Sequence, residues 1–381
     1  MKMFNFDREG EINKERIRRL AGWHKGKKES PVQIDVELHK RCNLKCIFCA
    51  RYDDHERLNK KSKNYEMSTD TWLELIEQAA KLHALVFNIE GINEPPAIPE
   101  IFFPVINKVK EVGLYGIVTT NGTLWKEDQL KNLVEMSWDR IHFSIHSPNL
   151  EIHDGLTGMR GSFNKAVKSI QILNKWKKRM RSERPMLNIN ICINRLNFRE
   201  LPKMVELAHS LDAAYIFTEP LMIYSETGRK FKLNDKESNE LLTLIKKAKK
   251  IADGYEIDNN FATKDKNLEK EIVRKTSDMK TLLLKEVEGS SDDLISVPCF
   301  KPWDRIVIRY NGLTGHCGFI EEGENVRGKS LKDIWFGKFF QNARKKMLNK
   351  ELFSHCHKCV PSDFIQKRRF QKELMEVIKG M

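Results

Sequence analysis

Three cysteines in the spacing C-x3-C-x2-C, Cys42, Cys46 and Cys49, constrain this chain more than any other part of its sequence. They come directly after residues 31–38, where apolar and polar residues alternate as they do in a β-strand. Three thiolates can ligate three irons of a 4Fe–4S cluster and leave the fourth iron open to a small molecule. A structural zinc knuckle, or three unrelated core thiols, is the alternative interpretation.

A C-terminal quartet of cysteines is the second metal-binding pattern. Its members are Cys299, Cys317, Cys356 and Cys359. Alternating residues 305–310 and an Asn311-Gly312 turn predict a β-hairpin here, and residues 331–348 predict a helix. Four thiolates can ligate every iron of a second 4Fe–4S cluster and leave no open iron. A structural zinc ion would need the same number of ligands.

The composition favours metal ligation over disulfides. The chain starts without the apolar stretch of a secretion signal, and it has no run of about 18 apolar residues that could span a membrane. We therefore expect a cytoplasmic protein without membrane association, in which thiols stay reduced. The formal charge of +14 is spread over many solvated faces, and aromatic stacking motifs are absent. This distribution argues against nucleic-acid binding.

Strand and helix patterns alternate through the first two thirds of the chain. The predicted strands are 31–38, 85–91, 115–120, 140–147, 187–194 and 215–221, and the helices between them are 72–82, 98–112, 127–136, 163–177 and 198–211. This order predicts parallel strands with crossover helices, which is an α/β fold. Six such units make a partial (β/α)6 barrel, whose site lies at the carboxyl ends of the strands.

The triplet, with Phe48 before its third cysteine, resembles the signature of the radical S-adenosylmethionine (SAM) family. In that family the open iron binds the amino and carboxylate groups of SAM. An electron from the cluster then cleaves SAM into methionine and a 5'-deoxyadenosyl radical. The quartet spacing, C-x17-C-x38-C-x2-C, resembles the shortened auxiliary-cluster module, called twitch, of the SPASM branch. The resemblance implies two 4Fe–4S clusters and SAM as cofactors.

The loops after the second and third strands also resemble the family. Gly91-Ile92-Asn93-Glu94-Pro95 is similar to the family's Gly-Gly-Glu-Pro segment, with Asn93 in place of the second glycine. The resemblance implies that this segment, with Glu94, holds the amino group of SAM. Thr119-Thr120-Asn121-Gly122 is similar to a Thr-Asn-Gly motif with a supporting role, although Asn-Gly is also an ordinary turn.

The resemblance implies further SAM contacts at the remaining strand ends. Ser144-Ile145-His146-Ser147 is similar to a Ser-Ile-Asp-Gly segment, so Ser144 is expected near the ribose and His146 replaces an aspartate. A histidine there could contact substrate or move a proton, or it could be structural. The other predicted SAM contacts are Phe48 at the adenine, Arg160 at the carboxylate, and Asn190 and Asn194 on a strand where Asn alternates with apolar residues. Cys192 on that strand is expected to be a packed thiol.

The resemblance divides the chain into four parts. Residues 1–30 would be a charged helical segment, 31–224 the radical SAM core, 225–298 a basic helical connector and 299–381 the auxiliary-cluster domain. The implied activity is that of a radical SAM oxidoreductase. The 5'-deoxyadenosyl radical takes a hydrogen atom from the substrate and the auxiliary cluster accepts the remaining electron. Flavodoxin or ferredoxin is the expected external electron donor.

Two substrate classes fit this activity, and a third hypothesis lies outside it. Roughly 30 residues precede the first strand, too few for a leader-binding domain, which favours a small polar substrate such as a sugar or cyclitol. A peptide or protein side chain is the alternative. The hypothesis from another class is a zinc-dependent protein that binds nucleic acid.

Overall fold

The structure of the chain, a computed structural model, describes residues 7–61, 65–224, 226–261, 279–288, 290, 293–320 and 322–380. Its strands are β1 Gln33–Val36, β2 Val86–Ile89, β3 Tyr115–Thr120, β4 Arg140–Ser144, β5 Met186–Ile193, β6 Tyr215–Pro220, β7 Asp258–Asn259, β8 Arg305–Ile308 and β9 Thr314–Gly315. Within the described residues these strands form one sheet of nine, in the order β7-β6-β5-β4-β3-β2-β1-β8-β9. Neighbouring strands are parallel except β8 and β9, which are antiparallel.

The six predicted strands therefore appear where the sequence placed them, in consecutive order, and the partial (β/α)6 barrel is confirmed. The helices are α1 Asp7–His24, α2 His55–Lys61, α3 Thr69–Lys81, α4 Pro99–Glu111, α5 Glu127–Glu135, α6 Leu150–Thr157, α7 Ser162–Met180, α8 Leu201–Ser210, α9 Glu226–Arg229, α10 Asp235–Gly254, α11 Met279–Lys285, α12 Lys301–Asp304, α13 Leu331–Phe336, α14 Lys338–Leu348 and α15 Pro361–Lys379. The prediction of one helix over 331–348 is wrong. Gly337 takes an extended backbone conformation, which separates α13 from α14.

The core lies between the sheet and the helices that cover it. Apolar side chains recur along each helix at helical spacing, as on α3, where Trp72, Leu75, Ile76 and Ala79 are buried. Gly116 of β3 shows how closely the layers approach. A Cβ there would lie about 2.4 Å from the ring of Trp138, so only glycine lets that ring pack on the strand.

The C-terminal hairpin continues the barrel sheet. The prediction of a β-hairpin around Asn311-Gly312 is confirmed, but β8 also pairs in parallel with β1, Gln33 opposite Arg305. The Arg305 guanidinium contacts Asp35 of β1 at 3.3 Å. Because the two elements share backbone hydrogen bonds, the site at the end of β1 and the segment carrying the cysteine quartet have a fixed relative position.

The N-terminal helix α1 packs against the same C-terminal region. Arg16 of α1 donates to the buried Asp304 at 2.6 Å. Ile17 and Leu20 share an apolar cluster with Phe370 of α15. At the opposite edge of the sheet, β7 lies within residues predicted as a connector. The predicted division of the chain into domains stays a prediction.

Candidate active site

The carboxyl ends of β1 to β4 surround a cleft of about 180 Å³, which we call the triplet cleft. Loops that follow parallel strands meet at one edge of the sheet, so residues distant in sequence come together there. The lining includes most of the predicted site: Cys42, Cys46, Cys49, Phe48, Asn93, Glu94, Ser144 and His146. All three cysteines are free thiols. The donor set therefore fits a 4Fe–4S cluster held by three thiolates.

A buried arginine holds the cysteine loop in place. Arg51 is 2 % exposed, and its guanidinium donates to the carbonyls of Lys40 at 2.5 Å and Ile92 at 2.9 Å and to the Asn59 side chain at 2.7 Å. The Asn59 side chain in turn accepts from the backbone N–H of Cys42. Sequence reasoning missed Arg51 and Asn59. The position of an arginine two residues after Cys49 was the available signal, but it did not distinguish a buried cation from a surface one.

The loop after β2 lies against the cysteine loop. Asn93 donates from its side chain to the carbonyl of His39 at 2.8 Å, and the backbone N–H of Glu94 donates to the carbonyl of Arg41 at 2.9 Å. Asn93 does not need a left-handed backbone, because Gly91 has the positive φ, 130°, in this loop. The departure from a second glycine therefore adds a hydrogen bond between two loops of the site.

Glu94 is 1 % exposed and lies on the floor of the triplet cleft. One carboxylate oxygen accepts from the Thr120 hydroxyl and the other from the backbone N–H of Asn121 at 2.7 Å. Burial raises the pKa of this carboxyl to about 7, and these two hydrogen bonds oppose that rise. The Thr-Asn-Gly segment after β3 thus orients Glu94, which is the supporting role expected for it.

His146 and Phe48 form one wall of the triplet cleft, with ring centroids 4.8 Å apart in an edge-to-face arrangement. The Nδ1 atom of His146 accepts from the backbone N–H of Cys192 at 3.2 Å, so the ring proton is on Nε2. Burial lowers the pKa of His146 to about 3. The ring is therefore neutral near pH 7, and a contact from it to the substrate stays a prediction.

The predicted Arg160 does not line the cleft, but its loop supports the cysteine loop. Asp154 accepts from Gly161 at 2.5 Å and from Phe163 at 2.9 Å, which fixes the turn that contains Arg160. Gly158 packs on the carbonyl of Lys45, where a Cβ would approach to 2.6 Å. The turn therefore touches the triplet loop through its backbone, and a SAM contact from Arg160 stays a prediction.

Asn190 and Asn194 also lie outside the cleft lining. The Asn190 side chain faces His142, 3.4 Å from its Nδ1, in the polar interior of the barrel. Asn194 is fully buried, donating to the carbonyl of Cys192 and accepting from the backbone N–H of Leu196. Its side chain is thus used to shape its own turn. SAM contacts from both asparagines stay predictions.

The second cysteine set lines a cavity of about 50 Å³, which we call the quartet cavity. Its lining includes Cys299, Cys317, Cys356 and Cys359. Among the described residues, no three cysteine, histidine, aspartate or glutamate side chains converge on one point as the ligands of a single metal ion do. None of these four cysteines forms a disulfide, and four thiols around a cavity fit a cluster with every iron ligated.

Cations and aromatic rings surround the quartet cavity. The ammonium of Lys301 pairs with Asp363 at 2.5 Å, and both side chains line the cavity. Burial raises the pKa of the Cys299 thiol to about 12, while Lys301 acts in the opposite direction. Metal ligation displaces such a thiol proton. His316, beside Cys317, is buried, and burial lowers its pKa to about 3, so its ring is neutral near pH 7.

Two family profiles match the segments of the chain that contain the two cysteine sets. The radical SAM superfamily profile matches residues 36–208, which contain the triplet. The iron–sulfur cluster-binding domain called SPASM matches residues 299–360, which contain the quartet. The chain is a radical SAM protein of the SPASM type. Its cofactors are accordingly a SAM-binding 4Fe–4S cluster, an auxiliary cluster and SAM.

Curated relatives of this radical SAM protein match about half of it. The PqqA peptide cyclase of Granulibacter bethesdensis is 28% identical over 188 residues, 49% of this chain and 46% of that protein. The AdoMet-dependent heme synthase of Methanosarcina barkeri is 28% identical over 184 residues, 48% of this chain and 49% of that protein. A Pyrococcus furiosus protein that modifies the cofactor of a tungsten-containing aldehyde ferredoxin oxidoreductase is 26% identical over 173 residues, 44% of this chain and 46% of that protein. The chain thus spans about half the length of these relatives.

Solved structures share the fold over more of the radical SAM protein. Streptococcus suis SuiB bound to S-adenosylmethionine superposes with a TM-score of 0.61 at 17% identity, covering 83% of this chain and 68% of SuiB. The structure of anSMEcpe with bound AdoMet also has a TM-score of 0.61 at 17% identity, covering 92% of this chain and all of that one. At this identity the likeness concerns the fold alone. Among the described residues, no helix has the length and apolar character to cross a membrane.

Proposed function

We propose that the protein is a radical SAM oxidoreductase that modifies a side chain of a peptide or protein. The observation that carries this proposal is that one chain, related to PqqA peptide cyclases, contains both an open three-thiol cleft and a four-thiol cavity. Strands of one continuous sheet connect the two. SuiB, which shares the fold, has also been crystallised bound to its precursor peptide SuiA. These relatives favour the peptide alternative over the sugar or cyclitol that the short N-terminal segment first suggested.

In the triplet cleft, Cys42, Cys46 and Cys49 would hold the first cluster. Bound there with SAM, the cluster supplies the electron for reductive cleavage, with reduced flavodoxin or ferredoxin as the external donor. Glu94 would accept hydrogen bonds from the SAM ammonium, because its carboxylate is fixed by Thr120 and Asn121 at the cleft floor. Phe48, kept in place by His146, would exclude water from the adenine side of the cleft.

In the quartet cavity, Cys299, Cys317, Cys356 and Cys359 would hold the auxiliary cluster. A fully ligated cluster supplies an electron acceptor rather than a substrate-binding site. Lys301 places a positive charge at the cavity wall, which stabilises added negative charge there. The net reaction would be a two-electron oxidation of the substrate.

Anaerobic purification with iron and sulfide analysis is the first test. We expect about eight irons per chain, in two four-iron clusters. The reduced protein is then incubated with SAM and, separately, with deuterated peptides encoded beside its gene and with deuterated aminocyclitols. Deuterium in 5'-deoxyadenosine, with a peptide two hydrogens lighter, supports the proposal. Transfer only from the cyclitol, or zinc in place of iron, refutes it.

A further inference from the structure

Three titratable side chains lie between the triplet cleft and the quartet cavity and line neither of them. They are Cys192 of β5, Glu219 of β6 and Tyr224 just after β6. Desolvation contributes most to a raised pKa of Tyr224, followed by Cys192, Cys49 of the triplet cleft, Glu219 and Cys317 of the quartet cavity. The group therefore occupies the space that separates the two cysteine sets.

Glu219 is connected to the triplet cleft through β5. The register of β5 and β6 places Cys192 opposite Glu219 at the carboxyl end of the sheet. The backbone N–H of Cys192 donates to His146, which lines the cleft beside Phe48. Glu219 therefore lies on the strand next to β5, opposite Cys192, which is hydrogen-bonded to a residue of the cleft wall.

Glu219 is connected to the quartet cavity through α15. One of its carboxylate oxygens accepts from the backbone N–H of Ser362 at 3.4 Å, in the first turn of the helix that follows Cys359. The next residue, Asp363, pairs with Lys301 at 2.5 Å, and both line the quartet cavity. The carboxyl of Glu219 is therefore hydrogen-bonded to the residue that precedes Asp363 of the cavity wall.

The surroundings of Glu219 suit a change of protonation near neutral pH. Burial raises its pKa to about 8, Ser362 lowers it, Asp363 raises it and Lys301 lowers it. Glu219 is nevertheless only half-buried, so a part of the residue remains accessible. Burial raises the pKa of the Cys192 thiol to about 12, and partial desolvation also raises the pKa of Tyr224, which is 39% exposed. Among these three groups, Glu219 alone titrates close to pH 7.

We propose that Glu219 is the general base of the reaction and takes the proton that the substrate loses on oxidation. This inference rests on the proposed function. The substrate C–H hydrogen atom goes to the 5'-deoxyadenosyl radical, which becomes 5'-deoxyadenosine. The remaining electron goes to the auxiliary iron–sulfur cluster, and the proton of an adjacent N–H, O–H or S–H group goes to the Glu219 carboxylate. The substrate loses two hydrogens and forms one new bond from its carbon.

Glu219→Gln tests this role, since glutamine keeps the shape of the side chain and cannot take a proton. We expect peptide oxidation to fall about 100-fold or more, while cleavage of SAM to 5'-deoxyadenosine continues within about threefold. Glu219→Asp should recover part of the oxidation. In the wild type, oxidation should increase as the pH rises through about 8, since the carboxylate is the active form, and this increase should be absent in Glu219→Gln. Asp258→Asn, which removes an exposed carboxyl from neighbouring β7, is the matched control.

A second readout does not depend on the substrate. The infrared C=O stretch of a protonated carboxyl should titrate near pH 8 in the cluster-loaded protein and be absent in Glu219→Gln. Oxidation by Glu219→Gln within threefold of the wild type, or loss of SAM cleavage together with oxidation, overturns the inference. If the wild type oxidises no peptide, the proposed function fails instead. In that case the role of Glu219 as base in that oxidation fails with it, whereas an unchanged carboxyl band in Glu219→Gln refutes the inference alone.

Discussion

Seven positions separate Cys42 from Cys49 in the triplet cleft, whereas 60 separate Cys299 from Cys359 in the quartet cavity. The first set comes from one loop after β1, which is held by hydrogen bonds to neighbouring loops. The second set comes from both ends of the cluster-binding segment, and the tertiary fold brings it together. The cleft therefore depends on a few local polar contacts, while the cavity depends on long-range packing.

The two linings reflect this difference in construction. The triplet cleft is bordered by polar groups whose partners lie on adjacent strand ends, such as Glu94 with Thr120. The lining of the quartet cavity also contains six large apolar and aromatic side chains: Phe300, Phe319, Met347, Phe353, Phe364 and Phe370. Single substitutions should therefore disrupt the cleft more selectively than the cavity.

The largest effect should come from removing each cysteine set in turn. Replacing Cys42, Cys46 and Cys49 with alanine should abolish formation of 5'-deoxyadenosine and lower the iron content by about four per chain. Replacing Cys356 and Cys359 should leave SAM cleavage intact and remove substrate oxidation. Chromatographic analysis of both products checks the two variants. Persistent SAM cleavage in the first variant would show that the triplet is not the reducing site.

The next effect concerns the buried cation of the cleft. Arg51→Met should lower the free energy of unfolding by about 3 kcal/mol, because two carbonyls and the Asn59 side chain lose their donor. It should also reduce iron loading of the triplet without affecting the quartet. Urea unfolding and Mössbauer spectra measure the two effects.

Arg57→Met is the control for this substitution. Arg57 lies six residues away, is 58% exposed and pairs only with Asp54 among the contacts the structure describes. Its loss should change the free energy of unfolding by less than about 0.5 kcal/mol. Equal effects of the two substitutions would mean that Arg51 does not position the cysteine loop.

Much of the fold was predictable because its signals are local. Strand β3 lies over the range that its alternation predicts, Tyr115–Thr120, and the cysteine spacings identified both cavities. The parallel pairing of β8 with β1 was not predictable, since it joins residues about 270 positions apart. The break at Gly337 was missed because apolar residues keep helical spacing on both sides of it.

The cysteine ligands of the site were predictable from the sequence, whereas the side chains that orient them were mostly not. Glu94 and Ser144 line the cleft, but Asn194 turns inward to satisfy its own loop. Arg51 and Glu219 were missed because a charged residue in sequence usually indicates a solvated surface. Their burial arises from contacts with distant segments, Ile92 and Ser362, which no local pattern contains.

Glu94→Gln should produce a smaller and more selective effect. The substitution removes a charged acceptor from the cleft floor, so SAM affinity should fall about 10- to 100-fold. The spectrum of the auxiliary cluster should not change, because Glu94 does not line the quartet cavity. Anaerobic calorimetric titration with SAM measures the affinity. Glu90→Gln, in the same segment but outside the cleft lining, should bind SAM within threefold of the wild type.

The smallest effect should appear in the pH dependence of stability. Burial lowers the pKa of His146 from 6.5 to about 3, so the folded protein keeps this ring neutral while the unfolded chain protonates it below pH 6.5. His146 therefore stabilises the fold above pH 6.5, and about 2 kcal/mol of this contribution should be lost between pH 7 and pH 5. His146→Gln should reduce the loss by that amount in urea unfolding of the apo-protein, whereas His83→Gln, at an exposed site, should not. If the pH dependence of unfolding is the same in His146→Gln and the wild type, the ring is not held neutral by the wall it forms with Phe48, and a proton-transfer role for it in the triplet cleft would have to be considered again.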